Sequence, residues 1–171
     1  MSSPVWSLRL AKEDFKFSVA HFTLFGPQAA EPLHGHNYRL SLTVAGRQLD
    51  DAGLLVGAAR VKELARALCA ELDDRILLPT ESPWLAIRQA DGSVECEYAE
   101  RHYRFPAAEV LLLPLANTSM ELLARFAWER LAGGPELAGL DSLAVEIAET
   151  AGQSCRYSAP LTDRAGDPAT R

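Results

Sequence analysis

Three of the four histidines fall close together, in an arrangement that suits a metal ion: His21, followed by His34 and His36 as an H-x-H pair. Alternate residues of a β-strand point to one side, with Cα atoms about 6.5–7 Å apart, so the imidazoles of His34 and His36 can converge on one ion. The segment FKFSVAHF puts Phe15, Phe17, Val19 and His21 on one parity, opposite Lys16, Ser18 and Ala20. If the two strands pair, His21 brings a third nitrogen to the same face. Three imidazoles with one coordination position left for water or substrate is the usual arrangement of catalytic zinc. The competing reading, scattered structural histidines, suits a lone His better than three at matching parity. His102, beside Arg101 and Arg104, reads as an exposed strand residue.

The elements that must position these residues can be read along the chain. Residues 5–22 are rich in β-branched and aromatic side chains and read as a strand, and residues 23–33, with Gly26-Pro27 and Pro32, as a loop. A second strand follows over 34–46. There His34, His36, Tyr38, Leu40, Leu42 and Val44 share one face against Asn37, Arg39, Ser41 and Thr43. Residues 58–73 change to the helical period, with Val61, Leu64, Ala65, Leu68, Cys69 and Leu72 in one apolar stripe that makes Cys69 a core residue. Residues 84–105 read as an inserted hairpin turning at Asp91-Gly92. Thr118 with Glu121 three residues later forms a capping-box pattern for a second helix ending at Gly133-Gly134. Strands at 142–149 and 154–159 close the order β-β-α-(hairpin)-α-β-β, and 160–171 reads as a disordered tail. The expected class is α+β: a single domain over 1–159, built on a four-stranded antiparallel sheet with both helices on one face. The other face, taken as apolar, should call for a homo-oligomer.

Composition narrows the function. The chain has 171 residues, 48% of them apolar and 23% charged, an ordinary globular balance. Seventeen Lys and Arg against 23 Asp and Glu give a net charge of −6 without a basic cluster, which argues against a nucleic-acid partner. No apolar run approaches the roughly 20 residues that span a bilayer, and the N-terminal residues lack a signal-peptide pattern. A cytoplasmic protein with no membrane partner is the expectation. Cys69, Cys96 and Cys155 are widely spaced, which suits reduced thiols.

FKFSVAHF followed by LHGHNYRLSLTVAG resembles the two zinc-binding strands of the 6-pyruvoyltetrahydropterin synthase / 6-carboxytetrahydropterin synthase family. LDDAGLLV, ELDDRILLP, NTSMELLARFAWERL and VEIAETAGQSCRY extend that resemblance over roughly residues 12–158. It implies the tunnelling fold, in which subunits join their sheets into a trimeric or hexameric barrel. It implies Zn2+ on His21, His34 and His36. It also implies Glu149 as the anchor of a pterin-like ring, with Thr118 and Ser119 as further substrate contacts. The anchor makes physical sense, because a carboxylate offers two acceptor oxygens to adjacent ring N–H donors.

The chain departs from the family at the base. The cysteine usually found shortly before HGH is missing: Ala30 stands four residues before His34. Asp73 keeps the carboxylate of the family's Asp-His pair, but Asp74 occupies the place of the His. Glu31 in Glu31-Pro32-Leu33-His34 resembles a branch in which Glu replaces Cys, a branch associated with cleaving the dihydroneopterin triphosphate side chain to 6-hydroxymethyl-dihydropterin. A partly dry pocket is expected to raise the pKa of such a carboxylate toward neutrality. Asp73 and Asp74 are the other catalytic candidates; alternatively they end the first helix and pair with Arg75 or Arg60. The resulting expectation is a zinc-dependent lyase acting on a dihydropterin side chain. The rival readings are a relative recruited to a different substrate and an inactive pterin-binding paralogue.

Overall fold

The structure, a computed structural model, describes residues 5–161. In chain order its elements are β1 (Trp6–Leu10), β2 (Lys16–His21), β3 (His34–Gly46), α1 (Ala58–Leu72), β4 (Arg75–Pro79), β5 (Ala86–Ala90), β6 (Ser93–Tyr98), β7 (Arg101–Pro106), β8 (Val110–Leu113), α2 (Met120–Ala132), β9 (Ser142–Thr150) and β10 (Gln153–Pro160).

The region read as one opening strand is two. The polar stretch 12–14 cannot continue the apolar alternation, and the chain turns there, with Phe15 N–H donating to the Lys12 carbonyl at 3.1 Å. Both pieces then pair antiparallel with the long β3, β1 along 42–46 and β2 along 34–39. β9 covers the opposite edge of β3, and β10 pairs with β9. On the far side of β2 the sheet gains two parallel strands, β4 and β8, for seven in all instead of four. Their sequences, RILLP and VLLL, are unbroken apolar runs, which is how buried parallel strands read.

Both helices pack on one sheet face. α1 buries Val61, Ala65, Leu68, Cys69 and Leu72, and α2 buries Leu123, Ala124, Phe126, Ala127, Trp128 and Leu131. These meet Phe15, Phe17, Tyr38, Leu40, Leu42, Val44, Val145 and Ile147 from the sheet in one core. The Trp128 indole N–H donates to the Leu143 carbonyl at 2.8 Å, so the bulky ring carries no orphaned donor into that core. The other sheet face is not apolar, contrary to expectation. It carries Lys16, Ser18, Asn37, Arg39, Ser41, Thr43, Glu146 and Arg156, the parity opposite to the core. Alternation sends these side chains outward, so burial of an apolar face cannot drive assembly.

The insertion is larger than a hairpin. β5, β6 and β7 form a separate three-stranded sheet that runs on to Pro106. Its first turn does lie at Asp91-Gly92, with φ of 50° and 72°, the left-handed pair a two-residue hairpin turn needs. This sheet closes a second core, in which Val94, Cys96 and Tyr98 pack against Phe22, Leu24 and Leu78.

Two end signals also differ. The N-cap of α2 is Ser119, whose hydroxyl accepts from Leu122 N–H at 3.4 Å; Thr118 is fully buried and faces elsewhere. Pro160 and Leu161, assigned to the tail, belong to the fold, since Leu161 N–H donates to the Asp141 carbonyl at 3.0 Å. The rest of the expected tail, 162–171, and residues 1–4 lie outside the described residues.

Candidate active site

His21 and His34 are direct antiparallel partners in the β2–β3 pairing, and His36 follows two residues along β3 on the same face. Ring centroids lie 4.9 Å apart for His21–His34, 5.2 Å for His21–His36 and 4.6 Å for His34–His36. One ligand atom from each ring lies within 4.8 Å of the others, which makes the trio able to hold a metal ion. His102 takes no part; it is exposed, 3.5 Å from Glu97.

The hydrogen bonds around the rings fix where their lone pairs point. His34 Nδ1 lies 2.7 Å from the Pro32 carbonyl and His36 Nδ1 lies 2.9 Å from a Glu149 carboxylate oxygen. Both partners only accept, so both Nδ1 atoms carry the hydrogen, and in the neutral form of each ring Nε2 presents the lone pair. Those two Nε2 atoms face each other at 2.7 Å. His21 Nδ1 meets the Thr118 hydroxyl at 3.3 Å, and that hydroxyl donates to the Phe22 carbonyl, so His21 too presents Nε2. The Tyr38 hydroxyl lies 3.2 Å from it. A ring N–H anchored to a carbonyl, carboxylate or hydroxyl is how metal-binding histidines are oriented. The donor set thus fits a divalent ion such as zinc.

His21 is buried, and that burial, with His34 and His36 adding to it, lowers its pKa from 6.5 to about 4. At neutral pH it is an uncharged imidazole, the form a metal ligand must have. In metal-stripped protein the consequence for stability has a definite sign. The unfolded chain binds this proton below about 6.5, whereas the folded chain waits until about 4. Stability is therefore intact above pH 6.5 and falls as pH drops across that window, by roughly 3 kcal/mol in full. Urea midpoints of metal-stripped protein measured between pH 7 and pH 4 should show this fall, and His21→Gln should flatten it; equal slopes for the two proteins would refute it.

Glu31 reaches the trio from the loop after β2. Its carboxylate lies 3.9 Å from His34 Nε2 and accepts from Thr23 N–H at 3.1 Å, while its own N–H donates to the Thr23 carbonyl at 3.0 Å. The expectation of a raised pKa is reversed. Burial pushes the carboxyl up, but the Thr23 hydrogen bond together with His34 and His21 outweighs it and holds Glu31 below the ordinary value. Sequence gave no sign of the Thr23 contact, because it depends on the loop folding back on itself.

Glu149, at the end of β9, has one oxygen 2.9 Å from His36 Nδ1, and its other oxygen accepts from the Gln153 amide at 3.1 Å. Thr118 is turned inward, orienting His21, and Ser119 caps α2. Asp73 and Asp74 sit at the end of α1. The Asp73 carboxylate accepts from Ser18 N–H at 2.6 Å, and Asp74 N–H donates to the Ser18 carbonyl at 2.8 Å. Together they tie the helix end to the edge of β2, in a cleft of about 780 Å³ shared with Ser18, Asn37, Arg39 and Arg66. Neither expected arginine pairing forms: Arg60 bonds Glu63 and Arg75 bonds the Ala108 carbonyl. Asp74 has φ of 55°, a left-handed conformation that Asp, Asn and His tolerate better than most residues. Burial raises the thiols of Cys69 and Cys96 to about 11, so neither is a thiolate at neutral pH.

A sheet with two helices on one face and three histidines on its paired strands defines a class as well as a site. The model of the family described as 6-pyruvoyl tetrahydropterin synthase matches residues 9–160, and the chain belongs to that family. A crystal structure of 6-pyruvoyl tetrahydropterin synthase from Plasmodium vivax is similar at a TM-score of 0.86 and 25% identity, covering 92% of this chain and 99% of that one. The fold is the tunnelling fold. Two variants of the P. vivax protein, described as catalytic residue mutants, replace a glutamate with Ala or Cys; they match at a TM-score of 0.86 and 24% identity over the same shares of the two chains. In sequence, the chain is 27% identical over 145 residues to a putative 6-carboxy-5,6,7,8-tetrahydropterin synthase of Methanocaldococcus jannaschii, covering 83% of this chain and 88% of that protein. No described helix is long and apolar enough to cross a membrane.

Proposed function

We propose that the chain is a zinc-dependent lyase acting on the side chain of a dihydropterin such as dihydroneopterin triphosphate. The observation that carries the reading is a carboxylate, Glu31, set 3.9 Å from one of three imidazoles whose Nε2 atoms converge. The P. vivax protein, whose catalytic residue is described as a glutamate, supports it by analogy. His21, His34 and His36 would hold the zinc ion, which would supply positive charge to polarise a hydroxyl or carbonyl of the side chain. Glu31 takes the proton from the adjacent carbon. As a carboxylate it is ionised at neutral pH, the form a base must have before it can accept. Thr23 N–H holds one of its oxygens in place. Glu149 receives the ring N–H donors on lone pairs left over from His36 and Gln153, since each carboxylate oxygen has two.

The same reading includes a homo-oligomer. The section β1-β3-β9-β10 ends on both sides in a strand with a single partner among the described residues, β1 against β3 and β10 against β9. An unpaired edge on each side suits head-to-tail addition of subunits, which closes into a ring. Incubating zinc-loaded protein with dihydroneopterin triphosphate should consume it, and the same preparation should have a native mass that is a multiple of three subunits. Ring binding without turnover would instead make the protein a pterin-binding relative. Absence of binding would point to another substrate, and a stable monomer at micromolar concentration would overturn the ring.

A further inference from the structure

The inserted sheet makes contacts that the reading above leaves without a role, and they end at Glu31. The loop from Phe22 to Glu31 folds into a small hairpin of its own. Leu24 and Ala30 form an antiparallel bridge, Phe25 N–H donates to the Ala29 carbonyl at 2.7 Å, and Glu31 N–H donates to Thr23. One strand of this hairpin is held from the head of α2: the Asn117 side chain accepts from Leu24 N–H at 3.1 Å and donates to the Leu24 carbonyl at 2.8 Å. The other strand, which carries Glu31, is held from the insertion. Arg101 donates one guanidinium N–H to the Glu31 carbonyl at 2.6 Å and another to the Ala30 carbonyl at 3.1 Å. Tyr98 lies directly opposite Arg101 in the β6–β7 pairing and donates its buried hydroxyl to the Gly26 carbonyl at 2.5 Å.

The turn that aims these two residues is itself constrained. Ala99, between them, has φ of 51°, which a residue with a Cβ adopts only when its surroundings enforce it. The Arg101 guanidinium also lies 5.9 Å from the centre of the Tyr98 ring. Among the described residues no carboxylate pairs with Arg101. Its fork bridges two consecutive carbonyls, the second belonging to the proposed base. A lysine, with a single ammonium and no planar fork, cannot reproduce that geometry.

We infer that Arg101 is a positioning residue for Glu31, and that the inserted sheet serves to fix the carboxylate of this loop against the histidine trio. The kinetic part of this inference rests on Glu31 being the base; the structural part does not. Holding a base in place matters because a displacement of about 1 Å can cost on the order of 100-fold in rate.

The test therefore has two arms, run on the full zinc-loaded protein. In the first, hydrogen exchange is followed at the Thr23 and Glu31 amides, both of which are bonded within the Glu31 hairpin. Arg101→Gln should speed exchange at both by tenfold or more, Arg101→Lys by less, and Tyr98→Phe should act in the same direction. Arg104→Gln, which changes a neighbour on β7 that bonds Ser93 instead, should do nothing. Unchanged exchange in Arg101→Gln would overturn the inference whatever the base is. In the second arm, Arg101→Gln should lower kcat 10- to 100-fold with zinc content and KM nearly unchanged, and added guanidinium should restore part of the loss. If Arg101 acts through Glu31, the double variant with Glu31→Gln should be no slower than Glu31→Gln alone; losses that multiply would overturn the inference. Full activity in Glu31→Gln would remove the base assignment, while the exchange arm would still decide the positioning.

Discussion

The unaltered protein is expected to bind about one zinc per subunit, and replacing His34 or His36 with alanine is expected to lose most of it. Each change removes one of three convergent Nε2 donors, and among the described residues the trio is the one cluster of His, Cys, Asp or Glu that meets metal-binding geometry. Loss of a hydrogen bond that merely orients a ligand typically costs about 10- to 100-fold in metal affinity, and loss of the ligand itself should cost more. His34 and His36 are the right positions to test, because both are partly exposed and truncation leaves no buried void. His21 is 3% exposed, so His21→Ala would confound metal loss with a cavity in the core. Glu149→Gln offers a graded comparison: it keeps every ring but weakens the acceptor for His36 Nδ1, and should lower zinc affinity and ring binding together. Metal analysis after dialysis reads the result, and full zinc in both alanine variants would rule out the trio as the site.

Glu31→Gln should retain zinc, fold and pterin affinity but turn over about 10²- to 10⁴-fold more slowly, the range general base catalysis contributes. Its amide oxygen can still accept from Thr23 N–H, so the loop keeps its hydrogen bond, yet no proton can be taken up. The loss should appear in kcat and hardly in KM, as for an interaction made only in the transition state. Full rate in this variant would pass the role to Asp73 or Asp74. A complementary variant, Ala30→Cys with Asp74→His, restores the family's usual residues. His tolerates the left-handed backbone at position 74, so the change is structurally feasible. Gain of ordinary synthase activity would mark a lightly altered pterin enzyme.

The histidine trio was legible because it depends only on local rules. Parity along a strand has a period of two, so His34 and His36 had to share a face, and His21 had the parity to join them. The alternation of β3, the apolar stripe of α1 and the turn at Asp91-Gly92 were legible for the same reason. Other features were misjudged although a signal was present. RILLP and VLLL are continuous apolar runs of the kind that parallel strands bury, yet they carry no period to distinguish strand from loop or helix. The capping pattern at Thr118 was genuine as a pattern, but the residue one place along had the freer hydroxyl once Thr118 turned to His21 and Phe22.

What only the tertiary structure decided is the setting of the chemistry. Sequence determined the parity that brings three imidazoles to one side, and it determined that Ala30 and Glu31, with no Cys, precede the H-x-H pair. The lowered pKa of that Glu was set by Thr23, His34 and His21. The backbone of its hairpin was set by Arg101, which bonds the Glu31 carbonyl 70 residues away, and by Asn117, which bonds Leu24 93 residues away. A pKa is a sum over neighbours in space, and a carbonyl accepts from whichever donor the fold delivers. Neither is written in the spacing of residues along one strand, whereas the side to which a strand residue points is.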